Sequence, residues 1–262
     1  MKLSTSNIGW TAEHDAQVYA LMKEYGFQGL EIAPTRIFSE LPYDKNTEAG
    51  AWSQNIRNEY GFSVPSMQSI WYGRQEKIFG SDEERNILLE YTKKAIDFAV
   101  AIGCKNLVFG CPRNRNIPEG ADENIAVAFF KELGDYACSK GTAIGMEANP
   151  PIYNTNYIND TKSVLELIEK VDTKGFLLNL DLGTMIHNGE EVNELAGKVS
   201  LINHVHISEP GLKPIEERTL HTELKELLVK EGYDRFVSIE MGKVDDVSIL
   251  KDKMAYVGRI FA

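Results

Sequence analysis

The sequence predicts an α/β chain that closes as a single-domain (β/α)8 TIM barrel over residues 1–262. Three observations carry this expectation. Short apolar runs alternate with amphipathic stretches from end to end, as parallel strands joined by helical crossovers require. Glycines stand where the helices would stop. No GxGxxG follows the first strand, so the runner-up, an open doubly wound sheet, lacks its usual dinucleotide-binding signature.

In chain order, the expected strands are KLSTS (2–6), GLEIA (29–33), SVPSMQ (63–68) and NLVFG (106–110). They continue with AIGME (143–147), FLLNLD (176–181), INHVHI (202–207) and FVSIE (236–240). Between them, the stretches from Glu83, Ala121 and Thr161 carry apolar residues at helical spacing. Gly26, Gly61, Gly103 and Gly232 mark helix ends before the next strand. The segment PTRIFSELPYDKN (34–46) is long for a connection after a strand and is a candidate lid.

Composition narrows the partners. A net charge of −11 argues against nucleic-acid binding, which normally needs a basic face. Three cysteines without a paired framework or CxxC predict a reducing, cytoplasmic setting. The opening MKLSTSNIGW has neither an export signal nor a long apolar run, so no membrane partner is expected. A barrel's outer helical faces leave room for a homo-oligomer, although none is unusually apolar.

The last four strands each end on a metal-ligating residue type: Glu147, Asp181, His206 and Glu240. Side chains alternate faces along a strand, so parity tests whether the four point the same way. The opposite parity is wholly apolar: Ile144 and Met146, Leu178 and Leu180, Val205 and Ile207, Val237 and Ile239. Those residues must face the helices, which turns the four polar ones toward the barrel axis at its C-terminal mouth, where barrel enzymes keep their sites. One such carboxylate alone is more often a helix cap, and a lone interior histidine is more often only hydrogen-bonded. Three converging carboxylates repel one another unless a cation joins them. An O,O,O,N set suits one divalent ion such as Mn2+, Mg2+ or Co2+, with Zn2+ also in range.

With these residues the chain resembles the xylose isomerase-like barrel superfamily, especially its sugar isomerase/epimerase branch with tagatose/psicose 3-epimerase and hydroxypyruvate isomerase relatives. The resemblance runs from GFQGLEIAP (26–34) through LVFGCPRNR (107–115) to FVSIEM (236–241). It implies that Glu147, Asp181, His206 and Glu240 hold a divalent metal and that Glu147 and Glu240 also form the acid/base pair. The implied reaction is isomerisation or epimerisation of a sugar or sugar phosphate through an enediolate. An inosose dehydratase-like lyase is the first alternative. An endonuclease IV-like phosphodiesterase is a weaker one, because Gln68, Gly110 and Thr184 stand where extra histidines would be needed. The 3-epimerases carry a second substrate-contacting Glu where this chain has Tyr153, and an Arg where it has Leu212 followed by Lys213.

Lesser candidates surround this set. Arg113 and Arg115 in CPRNR could bind a phosphate or carboxylate. His221 could reach the site after the seventh strand, and Lys213 could contact substrate. Trp10 and Trp71 could wall the pocket, and Glu31 ends the second strand in the family pattern.

Overall fold

A computed structural model describes residues 1–262 and shows eight parallel strands wrapped by helices. The strands are β1 (Lys2–Ser6), β2 (Gly29–Glu31), β3 (Ser66–Met67), β4 (Asn106–Phe109), β5 (Ile144–Met146), β6 (Phe176–Asp181), β7 (Ile202–Ile207) and β8 (Phe236–Ile239). The main crossover helices are α1 (Asp15–Glu24), α3 (Asn46–Tyr60), α4 (Asp82–Ile102), α5 (Asn124–Ser139), α6 (Thr161–Val171), α8 (Thr219–Lys230) and α9 (Val247–Phe261). Two short helices, α2 (Pro34–Ile37) and α7 (Leu182–Asn188), follow β2 and β6.

The ladder runs β2-β1-β8-β7-β6-β5-β4-β3. Two bridges, Gly29 to Ser63 and Ile32 to Met67, join its ends and close the barrel. This seam is thin, which is why β2 and β3 are shorter than the apolar runs that predict them. Backbone pairing continues at the mouth. Glu147 N still donates to Phe109 O (3.1 Å) and Glu240 N to Ile207 O (3.0 Å), each one residue beyond its strand.

Helix ends follow local chemistry. Ser81 and Glu84 form a reciprocal capping box at the start of α4, and Gly103 (φ 75°) ends it in the left-handed region. Close approach decides another glycine: a Cβ on Gly175 would lie 1.9 Å from Gly134 O of α5. The 34–46 segment is not a free flap, because Tyr43 is buried and its hydroxyl donates to Ile70 O (2.8 Å).

The apolar layer lies between sheet and helices. All eight residues of the outward parity named above are buried in it. Phe130 sits deep there, its ring centroid 4.9 Å from those of Phe109 and Phe176. Phe130→Ala should lower unfolding free energy by about 3–5 kcal/mol, read from urea denaturation, through lost burial plus a cavity.

Candidate metal centre

The barrel interior is polar. Ser4, Ser6, Ser66, Asn106, Asn179, His204 and Ser238 are buried there. Several are bound side chain to side chain, as where Asn106 Nδ2 donates to Ser66 Oγ (3.0 Å) and Asn179 Oδ1 (3.1 Å), whereas the hydroxyls of Ser4 and Ser238 have no partner. A register shift between β6 and β7 sets Asn179 beside His204 and Asp181 beside His206. Such irregularities re-aim side chains next to active sites.

At the mouth, Glu147, Asp181, His206 and Glu240 bring one ligand atom each to within 4.8 Å of one another. His206 Nδ1 lies 3.0 Å from Glu147 Oε1 and 3.1 Å from Glu240 Oε2. Its Nε2 lies 2.9 Å from Glu31 Oε2. Glu31 thus takes one ring nitrogen and turns the other toward the three carboxylates, the arrangement that orients a metal-binding imidazole. His204 Nε2 is 3.0 Å from the same Glu31 oxygen but off the hydrogen-bond direction.

The supporting amides complete the shell. Gln68 Nε2 donates to Glu240 Oε1 (2.9 Å) and Glu31 Oε1 (3.1 Å). Asn179 and Asn149 donate to the two oxygens of Glu147, at 2.8 and 3.2 Å. Asp181 Oδ2 accepts from Thr184 N (2.7 Å) and Thr184 Oγ1 (2.8 Å), while Ser208 donates to Oδ1. Asp181 is therefore the N-cap of α7 as well as a candidate ligand. Gly110 keeps the space open, since a Cβ there would meet Glu147 Oε2 at 3.0 Å.

Electrostatics match a cation site. Burial, reinforced by the Glu147 charge, pushes Asp181 up to about 6. Burial pushes Glu240 up to about 7, with Glu147 and Asp181 adding to it and His206 opposing. Burial works against the His206 cation, yet Glu240, Glu31 and Glu147 outweigh it and hold the imidazolium well above its ordinary value. Surplus negative charge thus falls on protons, and a divalent ion with oxygen and nitrogen preferences fits the same four donors.

A cavity of about 180 Å3 opens above the cluster, lined by residues that include Gln68, Asn149, Tyr153, Glu209 and Leu212. Tyr153 Oη accepts from Gly211 N (2.9 Å), which ties the loop after β5 to the loop after β7. Ser69, Cys111 and Leu212 also line it, all with positive φ (55°, 42° and 54°). Strained non-glycine residues of this kind cluster at functional sites.

Other sequence candidates fall elsewhere. Arg115 is buried beneath the cavity, where it donates to Glu147 O (2.8 Å), Asn149 Oδ1 (3.0 Å) and Ile158 O (3.1 Å). Its guanidinium is used by backbone and amide oxygens near the end of β5, so it supports Glu147 and does not meet an anion. Trp71 is buried, with Nε1 donating to Thr92 Oγ1 (2.8 Å) and its ring against Phe109. Trp10 likewise turns inward, donating to Asp15 (2.7 Å). Arg113 and Lys213 are exposed and do not line the inner cavity. His221 packs inside α8, 2.8 Å from Tyr256 Oη, and also stays outside the cavity.

Asn179, Asn149 and Ser208 join the site without being among the residues the sequence predicts for it. Asn179 carried a signal, being two residues before Asp181 on the same face. Asn149 and Ser208 also stand two residues from Glu147 and His206, but beyond the ends of β5 and β7, where strand alternation no longer fixes the face.

Comparison with known proteins agrees with this architecture. Residues 19–257 match the family described as xylose isomerase-like TIM barrel, and the chain belongs to it. No curated protein sequence matches the chain. Among solved structures, 3-keto-D-glucoside 4-epimerase from E. coli is similar, with TM-score 0.77 and 21% identity over 98% of both chains. D-psicose 3-epimerase from Clostridium cellulolyticum H10 has TM-score 0.77 and 16% identity, covering 100% of this chain and 99% of its own. The IolI protein with a bound zinc atom has TM-score 0.73 and 16% identity over 100% of both chains. At these identities the likeness is one of fold.

Two outcomes follow from the geometry. Glu31→Gln should weaken binding of Mn2+ about 10–100-fold by calorimetry, because it alters the partner that orients His206. Burial lowers His221 from 6.5 to about 4, so it folds neutral. The stability this contributes is fully present above about pH 6.5 and is lost as pH falls toward 4. Urea midpoints of the wild type should drop between pH 7 and 5 more steeply than those of His221→Gln.

Proposed function

We propose that this protein is a divalent-metal-dependent sugar isomerase or epimerase in which Glu147 and Glu240 exchange a proton with carbon next to a carbonyl. The observation that carries the reading is the pair of carboxylates facing one cavity, with Glu240 pushed up to about 7 by burial. A carboxyl group near neutrality can both take and return a proton. The metal, when bound, would polarise the substrate carbonyl and stabilise the developing oxyanion.

The chain's own groups supply the rest. Glu147, Asp181, His206 and Glu240 would hold the ion. Gln68 donates to Glu240 Oε1 and Asn149 to Glu147 Oε2, so the orientation of each carboxylate is set before substrate arrives. One glutamate removes the proton and the other delivers it. Return to the opposite face of the same carbon gives an epimer, and return to the neighbouring carbon gives an aldose–ketose isomer. Epimerases among the similar folds support this chemistry, and the zinc atom bound by IolI is consistent with a metal-binding barrel.

The lining favours an uncharged sugar over a sugar phosphate. It holds Glu147, Asp181, Glu209 and Glu240 and no Lys, Arg or His. A phosphodiesterase would face the same repulsion. Metal analysis of protein purified without chelator would distinguish Mn, Mg, Co and Zn.

The test is solvent-deuterium incorporation across free ketoses and their phosphates. Exchange into a free ketose, with Glu240→Gln reducing it about 100-fold or more, is the expected result. Undiminished exchange by metal-loaded Glu240→Gln would remove Glu240 from the acid/base role. Loss of water to form an enone or dione, in place of exchange, would identify a lyase.

A further inference from the structure

A second polar cavity lies at the other end of the barrel. Because all eight strands are parallel, their first residues gather on the face opposite the mouth. A cavity of about 480 Å3 opens there, within the size range of small-molecule sites. Four cations line it: Lys2 at the start of β1, Lys105 just before β4, Lys174 shortly before β6 and Arg235 just before β8. Asp234 is the one carboxylate in the lining. This excess of positive charge runs against the net charge of −11 and contrasts with the acidic lining of the mouth.

The fold does not use up these cations. Elsewhere guanidinium groups meet carboxylates, as Arg36 meets Asp15 and Arg218 meets Glu209. None of the four forms an ion pair within the chain. Lys105 Nζ donates to Gly141 O (2.9 Å) just beyond α5, an ordinary task for a lysine near a helix C-terminus. That task does not account for the others. Arg235 Nη1 donates to Ile202 O (3.0 Å) and Asn203 Oδ1 (2.9 Å), which fixes the guanidinium and leaves its Nε–Nη2 edge without a partner. Asn203 Nδ2 in turn donates to Lys105 O (3.0 Å) and Asn106 Oδ1 (2.7 Å), so the guanidinium rests on a bonded platform joining the starts of β4 and β7. The Lys174 ammonium has no hydrogen-bond partner, and Lys2 Nζ lies 5.6 Å from the centroid of the Phe236 ring. Thr142 also lines the cavity; it is buried, yet its hydroxyl has no partner. A buried polar group left in that state is costly unless a bound group satisfies it.

We infer that this cavity binds a small phosphate-bearing molecule, on the face of the barrel remote from the reaction site. The fixed edge of Arg235 matches two phosphate oxygens, and the ammonium groups of Lys2 and Lys174 add point charges beside it. Four cations set against one carboxylate call for a ligand with two or more negative charges, which a phosphate ester or pyrophosphate supplies. Backbone amides around the cavity are already bonded, Lys105 N to Pro65 O and Thr142 N to Ala137 O, so side chains carry the recognition. No residue of the mouth takes part, and the site stands independently of the proton-transfer reading.

Calorimetry with pyrophosphate and with glucose 6-phosphate tests it. One ligand per chain should bind with a Kd of about 1 mM or tighter, and affinity should fall as NaCl is raised. Tighter binding of pyrophosphate supports the site with inorganic phosphate as its source, and tighter binding of glucose 6-phosphate supports it with a sugar ester. Arg235→Gln should weaken binding about tenfold and Lys174→Gln about threefold, whereas Glu240→Gln at the mouth should leave it unchanged. Lys174 makes no bond that the fold needs, so its variant remains decisive if Arg235→Gln lowers the thermal melt. Absence of saturable binding, unchanged affinity in both cavity variants, or a loss caused by Glu240→Gln would overturn the site. Citrate binding as tightly as either phosphate compound would overturn the phosphate class.

Discussion

The site depends on one imidazole held between opposing sets of carboxylates at the axis of a closed barrel. His206 meets Glu31 through Nε2 and Glu147 and Glu240 through Nδ1. Neither set could be buried alone at acceptable cost, since an unpaired interior charge is strongly destabilising. Together they form a column of alternating charge, and the surrounding amides of Gln68, Asn149 and Asn179 satisfy the remaining oxygens.

This constraint explains why the interior departs from the usual packing of branched apolar side chains in a barrel. A column of ionisable groups needs hydrogen-bonding neighbours, and small polar residues supply them without crowding the axis. Stability is correspondingly displaced outward. The apolar parity of β5 to β8 faces the helices, where clustered aromatics such as Phe109, Phe130 and Phe176 fill the space between sheet and helix. The molecule thus separates its cohesion from its chemistry by strand face.

That separation is what made much of the fold and the four-residue cluster legible in the sequence. Alternation along β5 to β8 distinguishes the two faces without any structure, so the convergence of Glu147, Asp181, His206 and Glu240 could be read from parity. Direction is what strand order does not give. Arg115 follows strand four beside the mouth, but oxygens around the end of β5 draw its guanidinium inward. His221 is sequentially near the mouth, but its position on α8 turns it toward Tyr256. Glu31 and Gln68 show the opposite case. Each ends a strand at the correct parity, but their partnership with His206 and Glu240 depends on how the barrel closes.

The closure has a consequence for how the site comes into being. Glu31 and His206 are separated by 175 residues, and Gln68 and Glu240 by 172. Contacts so distant in sequence carry a large loop-closure cost and belong to the slow part of folding. The mouth therefore has no competent precursor: strands β5 to β8 can assemble their four ligand residues as neighbours, yet the imidazole gains its orienting partner only when the two ends of the chain meet. The finished mouth reports completion of the circle, and a molecule that stalls one strand short has the four side chains but not their arrangement.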